Sequence, residues 1–250
     1  MKYKFKRLSM AIAVSISTVC SVYANTVFDE SRDRNIPVEI AKPANARECS
    51  LKAKCPVAFI SAGYGVSHHD YSFISKQLNA MGYLTVAIGH ELANDPPLSV
   101  SGNLFETRSE NWIRGANTLD FLQHKLAKQF NHYDFEKLLL VGHSNGGDIS
   151  AWLANEGKDY IQTIITLDHR RVPLPRTNKV NVLSIRASDF AADKGVLPTA
   201  REQKQFGSCI VTIEKAKHND IADFGPKWLK DNIKLIINKY LSNESCYPTK

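Results

Sequence analysis

The sequence predicts an α/β fold with a mostly parallel central sheet and helices on both faces. Two observations indicate this. Short continuous apolar runs, as expected for strands buried on both faces, alternate with segments whose apolar residues recur at three- and four-residue spacing. Such alternation is typical of strand–helix–strand units, which build parallel sheets. No long linker or repeat divides the sequence, so we expect a single domain at residues 25–250, and the short interval 168–180 argues against a large lid.

The predicted elements follow from local apolar patterns and from turn residues. Strands are expected at 36–40, 57–61, 84–88, 137–141, 161–167, 180–185 and 209–213. Helices are expected at 71–81, about 105–126, 145–155 and about 221–241. Pro56 and Gly63 bound the second strand, and Gly82 ends the first helix.

The first 24 residues are predicted to be a cleaved secretory signal peptide. Four basic residues stand within the first seven positions, and the apolar run that follows is too short to span a bilayer. Small or modest side chains favour cleavage after Ala24. Lipidation of Cys20 is the alternative, which the bulky Val19 before it disfavours. We therefore expect export, either to the periplasm or out of the cell.

The charge of the mature chain argues against binding to nucleic acid. The full sequence has 32 Lys+Arg and 25 Asp+Glu, a net charge of +7. Four of the positive charges lie in the predicted signal, which leaves 28 against 25, or +3. That excess is small and dispersed, with no basic stripe that contains interleaved aromatic residues. No later apolar stretch is long enough to predict a transmembrane segment after signal cleavage.

Four cysteines follow the predicted signal, and an even number in an exported chain predicts disulfides. Cys49 and Cys55 flank a plausible turn, and their pairing would leave Cys209 for Cys246. Three pairings are open from the sequence. Metal binding is disfavoured because no histidine stands at finger-like spacing from either pair.

The most informative segment is Gly142-His143-Ser144-Asn145-Gly146, a G-x-S-x-G pattern directly after a predicted strand and directly before a predicted helix. In that context the serine stands on a sharp turn with its hydroxyl above the sheet, and the glycines leave room for close packing. Ser144 is therefore the predicted nucleophile. The Asn145 amide, at the start of the helix, is a predicted donor to the oxyanion formed at an attacked carbonyl.

A serine nucleophile needs a base, and the base needs an acid to orient it. His218 follows the last predicted strand and precedes the last helix, where its ring can reach Ser144. Asp168 and Asp189 each end a predicted strand, so either is a reasonable acid. The loop Ser61-Ala62-Gly63-Tyr64-Gly65, which we call the 61–65 loop, is expected to supply the second oxyanion donor through the Tyr64 amide.

These residues resemble the α/β-hydrolases, in particular the platelet-activating-factor acetylhydrolase-like serine esterases and, more loosely, the dienelactone-hydrolase-like ones. The resemblance rests on the segments 60–65, 142–147, 165–168 and 218–224 and covers most of the mature chain. It implies an α/β-hydrolase fold, and it favours Asp168 over Asp189 as the acid. Ala62 departs from the eukaryotic acetylhydrolases, where a histidine is usual, so the resemblance does not extend to their lipid specificity.

The expected function is therefore an exported serine hydrolase that cleaves carboxylic esters, such as short-chain or phospholipid acyl esters, without a cofactor or metal. The alternative is a non-catalytic exported binding protein that keeps the hydrolase fold, because a fold alone does not fix function. A metal-dependent hydrolase built on His68, His69 and Asp70 is disfavoured, since adjacent ligands are poorly placed to share one metal.

Overall fold

The computed structural model describes residues 22–44 and 46–244. Within them, eight strands form one sheet. The strands are β1 (Val22–Asp29), β2 (Arg34–Ala41), β3 (Cys55–Ser61), β4 (Leu84–Ile88), β5 (Tyr133–His143), β6 (Ile161–Leu167), β7 (Asn181–Arg186) and β8 (Cys209–Thr212). The same residues contain five α-helices: α1 (Ser72–Ala80), α2 (Leu104–Gln129), α3 (Asn145–Asn155), α4 (Ala200–Phe206) and α5 (Lys227–Leu241).

The strand order across the sheet is β1-β2-β4-β3-β5-β6-β7-β8. β2 runs antiparallel to both β1 and β4, whereas every neighbouring pair from β4 to β8 is parallel. In a parallel sheet the carboxyl ends of the strands meet at one edge, where ligand sites of open α/β folds lie.

Helices cover both faces of the sheet, as the sequence predicted. Successive residues of a strand point to opposite faces. Phe59 and Leu140 belong to a buried cluster with side chains of α2 and α3. Their neighbours Ile60 and Val141 belong to a second cluster with side chains of α1 and α5. The strands between the two clusters are therefore buried on both sides, which explains their continuous apolar sequences.

Three elements differ most from the sequence prediction. β1 was not predicted, and it pairs antiparallel with β2 along its whole length. α4 was missed because none of its residues is buried, so it has no apolar periodicity. Its sequence signals are the capping box formed by Thr199 and Glu202 and the left-handed Gly207 at its C-terminal end. α5 begins at Lys227 and not near Ile221, because Pro226 at its N-cap has extended backbone, with ψ 145°.

The predicted signal peptide lies mostly outside the described residues. Cleavage after Ala24 would leave residues 25–29 of β1. Cys49 and Cys55 form a disulfide, as the spacing suggested. Cys246, the expected partner of Cys209, lies outside the described residues. Across residues 22–44 and 46–244, no helix combines the length and apolar character needed to cross a membrane.

Candidate active site

The carboxyl edge of the parallel strands holds the polar residues that the sequence singled out. Ser144 directly follows β5 and Asp168 directly follows β6. Tyr64, Asp189 and His218 stand on the loops after β3, β7 and β8. The topology thus gathers at one edge five residues that are widely separated in the sequence.

Ser144 stands on a sharp turn between β5 and α3. Its backbone angles are φ 51° and ψ −120°, a strained combination for a residue with a side chain. The turn requires two neighbours without side chains. A Cβ at Gly142 would lie 2.3 Å from the Gly146 carbonyl oxygen, and a Cβ at Gly146 would lie 2.3 Å from the Ser61 carbonyl oxygen. The two glycines therefore allow β5, α3 and the end of β3 to pack closely around the serine.

The ring of His218 connects Ser144 to Asp168. Its Nε2 is 3.0 Å from Ser144 Oγ, and its Nδ1 is 2.5 Å from Asp168 Oδ2. An ionised carboxylate can only accept hydrogen bonds, so Nδ1 carries the ring proton. Nε2 is then left to accept from the Ser144 hydroxyl. The His218 side chain is 14% exposed, so the ring is shielded on most sides but remains reachable from solvent.

Asp168 is fully buried and surrounded by donors. Its Oδ1 accepts from the Ala187 amide at 3.1 Å and lies 2.8 Å from Arg186 Nη2. Its Oδ2 lies 3.5 Å from Arg170 Nη2. A buried carboxylate is costly unless it is paired and hydrogen-bonded, and these groups supply both kinds of partner.

Asp189, the other acid considered from the sequence, contacts His218 in a different way. Its two carboxylate oxygens accept from the backbone amide of His218 at 2.9 and 3.1 Å. It is exposed, and its hydrogen bonds to His218 go to the main chain, not to the ring. Of the two acids, Asp168 is thus the one that the fold brings to the imidazole, while Asp189 fixes the loop that carries it.

The two predicted oxyanion donors stand on different segments: Asn145 directly follows Ser144 at the start of α3, and Tyr64 is on the loop after β3. Within the described chain, neither the Tyr64 amide nor the Asn145 amide donates to an acceptor. The Asn145 side chain is buried: its Oδ1 accepts from Trp112 Nε1 at 2.8 Å, and its Nδ2 donates to Asn111 Oδ1 at 2.8 Å. The Tyr64 ring is exposed, and its hydroxyl accepts from the Leu98 amide at 3.0 Å.

Sequence reasoning missed several polar neighbours of Ser144. Tyr71 is not among the predicted site residues, and His143 appears there only as part of the G-x-S-x-G pattern. Their side chains meet at 2.8 Å beside the elbow. Glu91 was also missed, and its Oε1 lies 3.3 Å from Asn145 Nδ2. Burial raises the pKa of Glu91 to about 6. The one available signal was their place, since Glu91 and His143 stand at or just after strand ends.

The strand order, the elbow after β5 and the surrounding helices define the α/β-hydrolase fold. No protein-family model and no curated protein sequence matches this chain. The fold likeness therefore comes from solved structures alone.

Three of these solved structures illustrate the likeness. The dienelactone hydrolase of Anabaena variabilis is 14% identical, with a TM-score of 0.60, over 90% of this chain and 98% of that one. The butyrate-bound esterase Est2 of Thermogutta terrifontis is 12% identical, with a TM-score of 0.65, over 91% of this chain and 96% of that one. The dienelactone hydrolase-like promiscuous phosphotriesterase P91, from metagenomic libraries, is 14% identical, with a TM-score of 0.62, over 89% and 98%.

Proposed function

We propose that this protein is an exported serine hydrolase that cleaves carboxylic esters through an acyl-enzyme on Ser144. The observation that carries the proposal is the continuous contact from Ser144 Oγ through the His218 ring to Asp168, at 3.0 and 2.5 Å. Nucleophile, base and acid in that order are the requirements for activating a serine hydroxyl.

In the first half of the proposed reaction, His218 Nε2 takes the hydroxyl proton while Ser144 Oγ forms a bond to the ester carbonyl carbon. The carbonyl oxygen becomes an oxyanion, and the Tyr64 and Asn145 amides donate to it. When the intermediate collapses, the bond to the leaving oxygen breaks. His218 passes its proton to that oxygen, so the alcohol leaves and the acyl group stays on Ser144.

In the second half, water replaces the alcohol. His218 takes a proton from water, whose oxygen attacks the acyl carbon, and the same two amides hold the second oxyanion. The bond to Ser144 Oγ then breaks, Oγ recovers the proton from His218, and the carboxylic acid leaves. The Asp168 carboxylate accepts from His218 Nδ1 in both halves and stabilises the imidazolium that forms in each.

The solved structures of similar fold favour this reaction class. They include an esterase with butyrate bound and the same esterase phosphorylated by paraoxon. By analogy we propose a carboxylic ester as substrate, with a short-chain or phospholipid acyl group. The proposed export is supported by the basic, then apolar N-terminal sequence and by the Cys49–Cys55 disulfide, since disulfides persist mainly in oxidising compartments.

The test is hydrolysis of para-nitrophenyl esters of increasing acyl length, with and without a serine-directed fluorophosphonate. We expect hydrolysis that the fluorophosphonate blocks, and we expect Ser144→Ala to abolish both turnover and labelling while the circular dichroism spectrum is retained. Esterase activity that survives in Ser144→Ala would contradict the proposal. A wild type that neither hydrolyses these esters nor is labelled would instead favour the non-catalytic binding protein.

A further inference from the structure

Tyr71 lies where three segments of the site meet. It directly precedes α1, and its hydroxyl accepts from the Gly63 amide of the 61–65 loop at 3.0 Å. The same hydroxyl is 2.8 Å from Nδ1 of His143, the residue before Ser144. His143 Nε2 is in turn 3.2 Å from the backbone carbonyl oxygen of His218.

We infer that Tyr71, acting through His143, is a positioning residue that fixes the 61–65 loop and His218 relative to Ser144. The inference rests on the proposed function, because it concerns the alignment of that reaction's oxyanion donor and base.

The direction of each hydrogen bond in this chain is determined. The carbonyl oxygen of His218 can only accept, so Nε2 of His143 carries the ring proton and donates to it. Nδ1 of the neutral ring is then an acceptor, so it receives the Tyr71 O–H. The Tyr71 oxygen in turn accepts from the Gly63 N–H. Every donor has one acceptor, so this series of hydrogen bonds has only one arrangement.

Burial and protonation keep that arrangement fixed. Tyr71 and His143 are 1% and 4% exposed, so water does not compete for their hydrogen bonds. Burial, with the nearby Asp70, Glu91 and Asp223, raises the pKa of the Tyr71 phenol, so it stays a donor. Burial, with the nearby His218 and Arg170, lowers the pKa of His143 to about 3, so its ring stays neutral.

Close packing links the Tyr71–His143 contact to the groups proposed for catalysis. A Cβ at Gly63 would lie 2.9 Å from His143 Nδ1 and 3.4 Å from Ser144 Cβ, so the 61–65 loop rests directly on this chain. Tyr64, the proposed oxyanion donor, is the next residue. The His143 and His218 rings are 5.0 Å apart between centroids. A shift at Tyr71 therefore reaches both the oxyanion donor and the base.

The start of α1 does not depend on the Tyr71 hydroxyl. The Asp223 carboxylate accepts from the amides of Ser72 and Phe73 at 2.9 and 3.0 Å, which caps the helix. Removal of the hydroxyl alone thus leaves the helix anchored, and Tyr71→Phe separates positioning from folding. The matched control is Tyr83→Phe. Tyr83 precedes β4 at the opposite edge of the sheet, and its hydroxyl forms no hydrogen bond with the described residues.

The experiment measures the rate of fluorophosphonate labelling, and kcat and KM on para-nitrophenyl butyrate, for wild type and both variants. We expect Tyr71→Phe to lower the labelling rate and kcat by about 10- to 100-fold, with KM within about threefold, as for loss of one buried hydrogen bond. Tyr83→Phe should match the wild type. His143→Gln tests the route: if the two residues act as one unit, the double variant should lose no more than the worse single variant.

Three results would overturn the inference. One is a Tyr71→Phe variant whose labelling rate and kcat equal those of the wild type. That result would leave the proposed function intact. Another is a loss that only follows the fraction of unfolded protein in thermal melts. Losses in Tyr71→Phe and His143→Gln that multiply in the double variant would also refute it. A wild type that neither hydrolyses nor labels would instead refute the proposed function, and this inference with it.

Discussion

Replacing each of the two candidate acids by asparagine should separate their roles. In Asp168→Asn, the group beside His218 Nδ1 becomes a neutral amide. If its NH2 faces Nδ1, that nitrogen must give up its proton and accept, which moves the ring proton to Nε2. Nε2 can then no longer accept from the Ser144 hydroxyl 3.0 Å away. If the amide oxygen faces Nδ1, the negative charge that stabilises the imidazolium is still lost.

The expected size of this effect is large. Loss of the acid in a serine triad lowers kcat by about 10⁴-fold, or roughly 5 kcal/mol in activation free energy. In Asp189→Asn, the carboxamide oxygen can still accept from the His218 backbone amide. Because the acceptor is exposed and only loses its charge, the free energy of the hydrogen bond to the His218 amide changes by about 1 kcal/mol. We therefore expect kcat to fall by no more than about tenfold.

The assay is kcat and KM on para-nitrophenyl butyrate, with near-ultraviolet circular dichroism to measure the folded fraction. The folding control is necessary, because Asp168 is paired with Arg186 at 2.8 Å and loss of one partner of a buried pair costs about 3 kcal/mol or more. Rates are compared per folded molecule. If Asp189→Asn lost more activity than Asp168→Asn, the assignment of Asp168 as the triad acid would be refuted.

Three further predictions concern packing, pH and the disulfide. Gly146→Ala should lower both activity and the unfolding temperature, because its Cβ would lie 2.4 Å from the Ala62 carbonyl oxygen; Gly157→Ala, with φ 73° and open space, should cost only stability. Stability should fall on acidification from pH 6.5 towards 5, because burial lowers three histidine pKa values to about 3 and raises two carboxyl pKa values to about 6. The histidines are His90, His143 and His169, and the carboxyl groups are Asp148 and Glu91. In this window the unfolded chain binds three histidine protons that the folded chain does not bind, whereas the folded chain binds two carboxyl protons that the unfolded chain does not bind. The free energy of unfolding, measured in urea, should therefore fall by about 1 kcal/mol per pH unit on acidification, and a flat profile would contradict the prediction. Reduction of Cys49–Cys55, which closes a loop of sequence separation 6, should cost about 2 kcal/mol in urea unfolding but leave kcat unchanged, since Cys55 begins β3 at the end away from the site.

Much of the fold could be predicted because its strands are buried on both faces and read as continuous apolar runs. β4 and β6 have the predicted bounds for this reason, and the helix α3 also has the bounds predicted for it. α4 buries none of its residues, so packing left no periodic trace in its sequence. Among the described residues β1 is an edge strand, paired with β2, and its first residues fall inside the predicted signal peptide. The elements that were missed are therefore those that the core specifies least.

The residues proposed for the chemistry could be predicted from local sequence patterns, whereas no local pattern marks the residues that surround them. The elbow at Ser144 is readable because the turn itself demands Gly142 and Gly146. Tyr71 meets His143 across 72 positions of the sequence. A contact of that kind depends on how β3, β5 and α1 pack together, and one sequence gives no trace of it.

The choice between the two acids also depends on a contact that the sequence alone does not predict. Asp168 and Asp189 follow adjacent parallel strands, so the topology places both near the loop after β8. What separates them is the path of that loop. Its turn places Lys215 at φ 64°, and the Ala216 carbonyl oxygen accepts from the Ser188 amide at 3.0 Å. The loop is thereby held against the end of β7, which puts the His218 amide over Asp189. The ring is then directed across the edge to the next strand, where Asp168 lies. The carboxylate that the His218 ring contacts thus depends on a backbone path whose turn residue, Lys215, gives no sign of its left-handed conformation in the sequence.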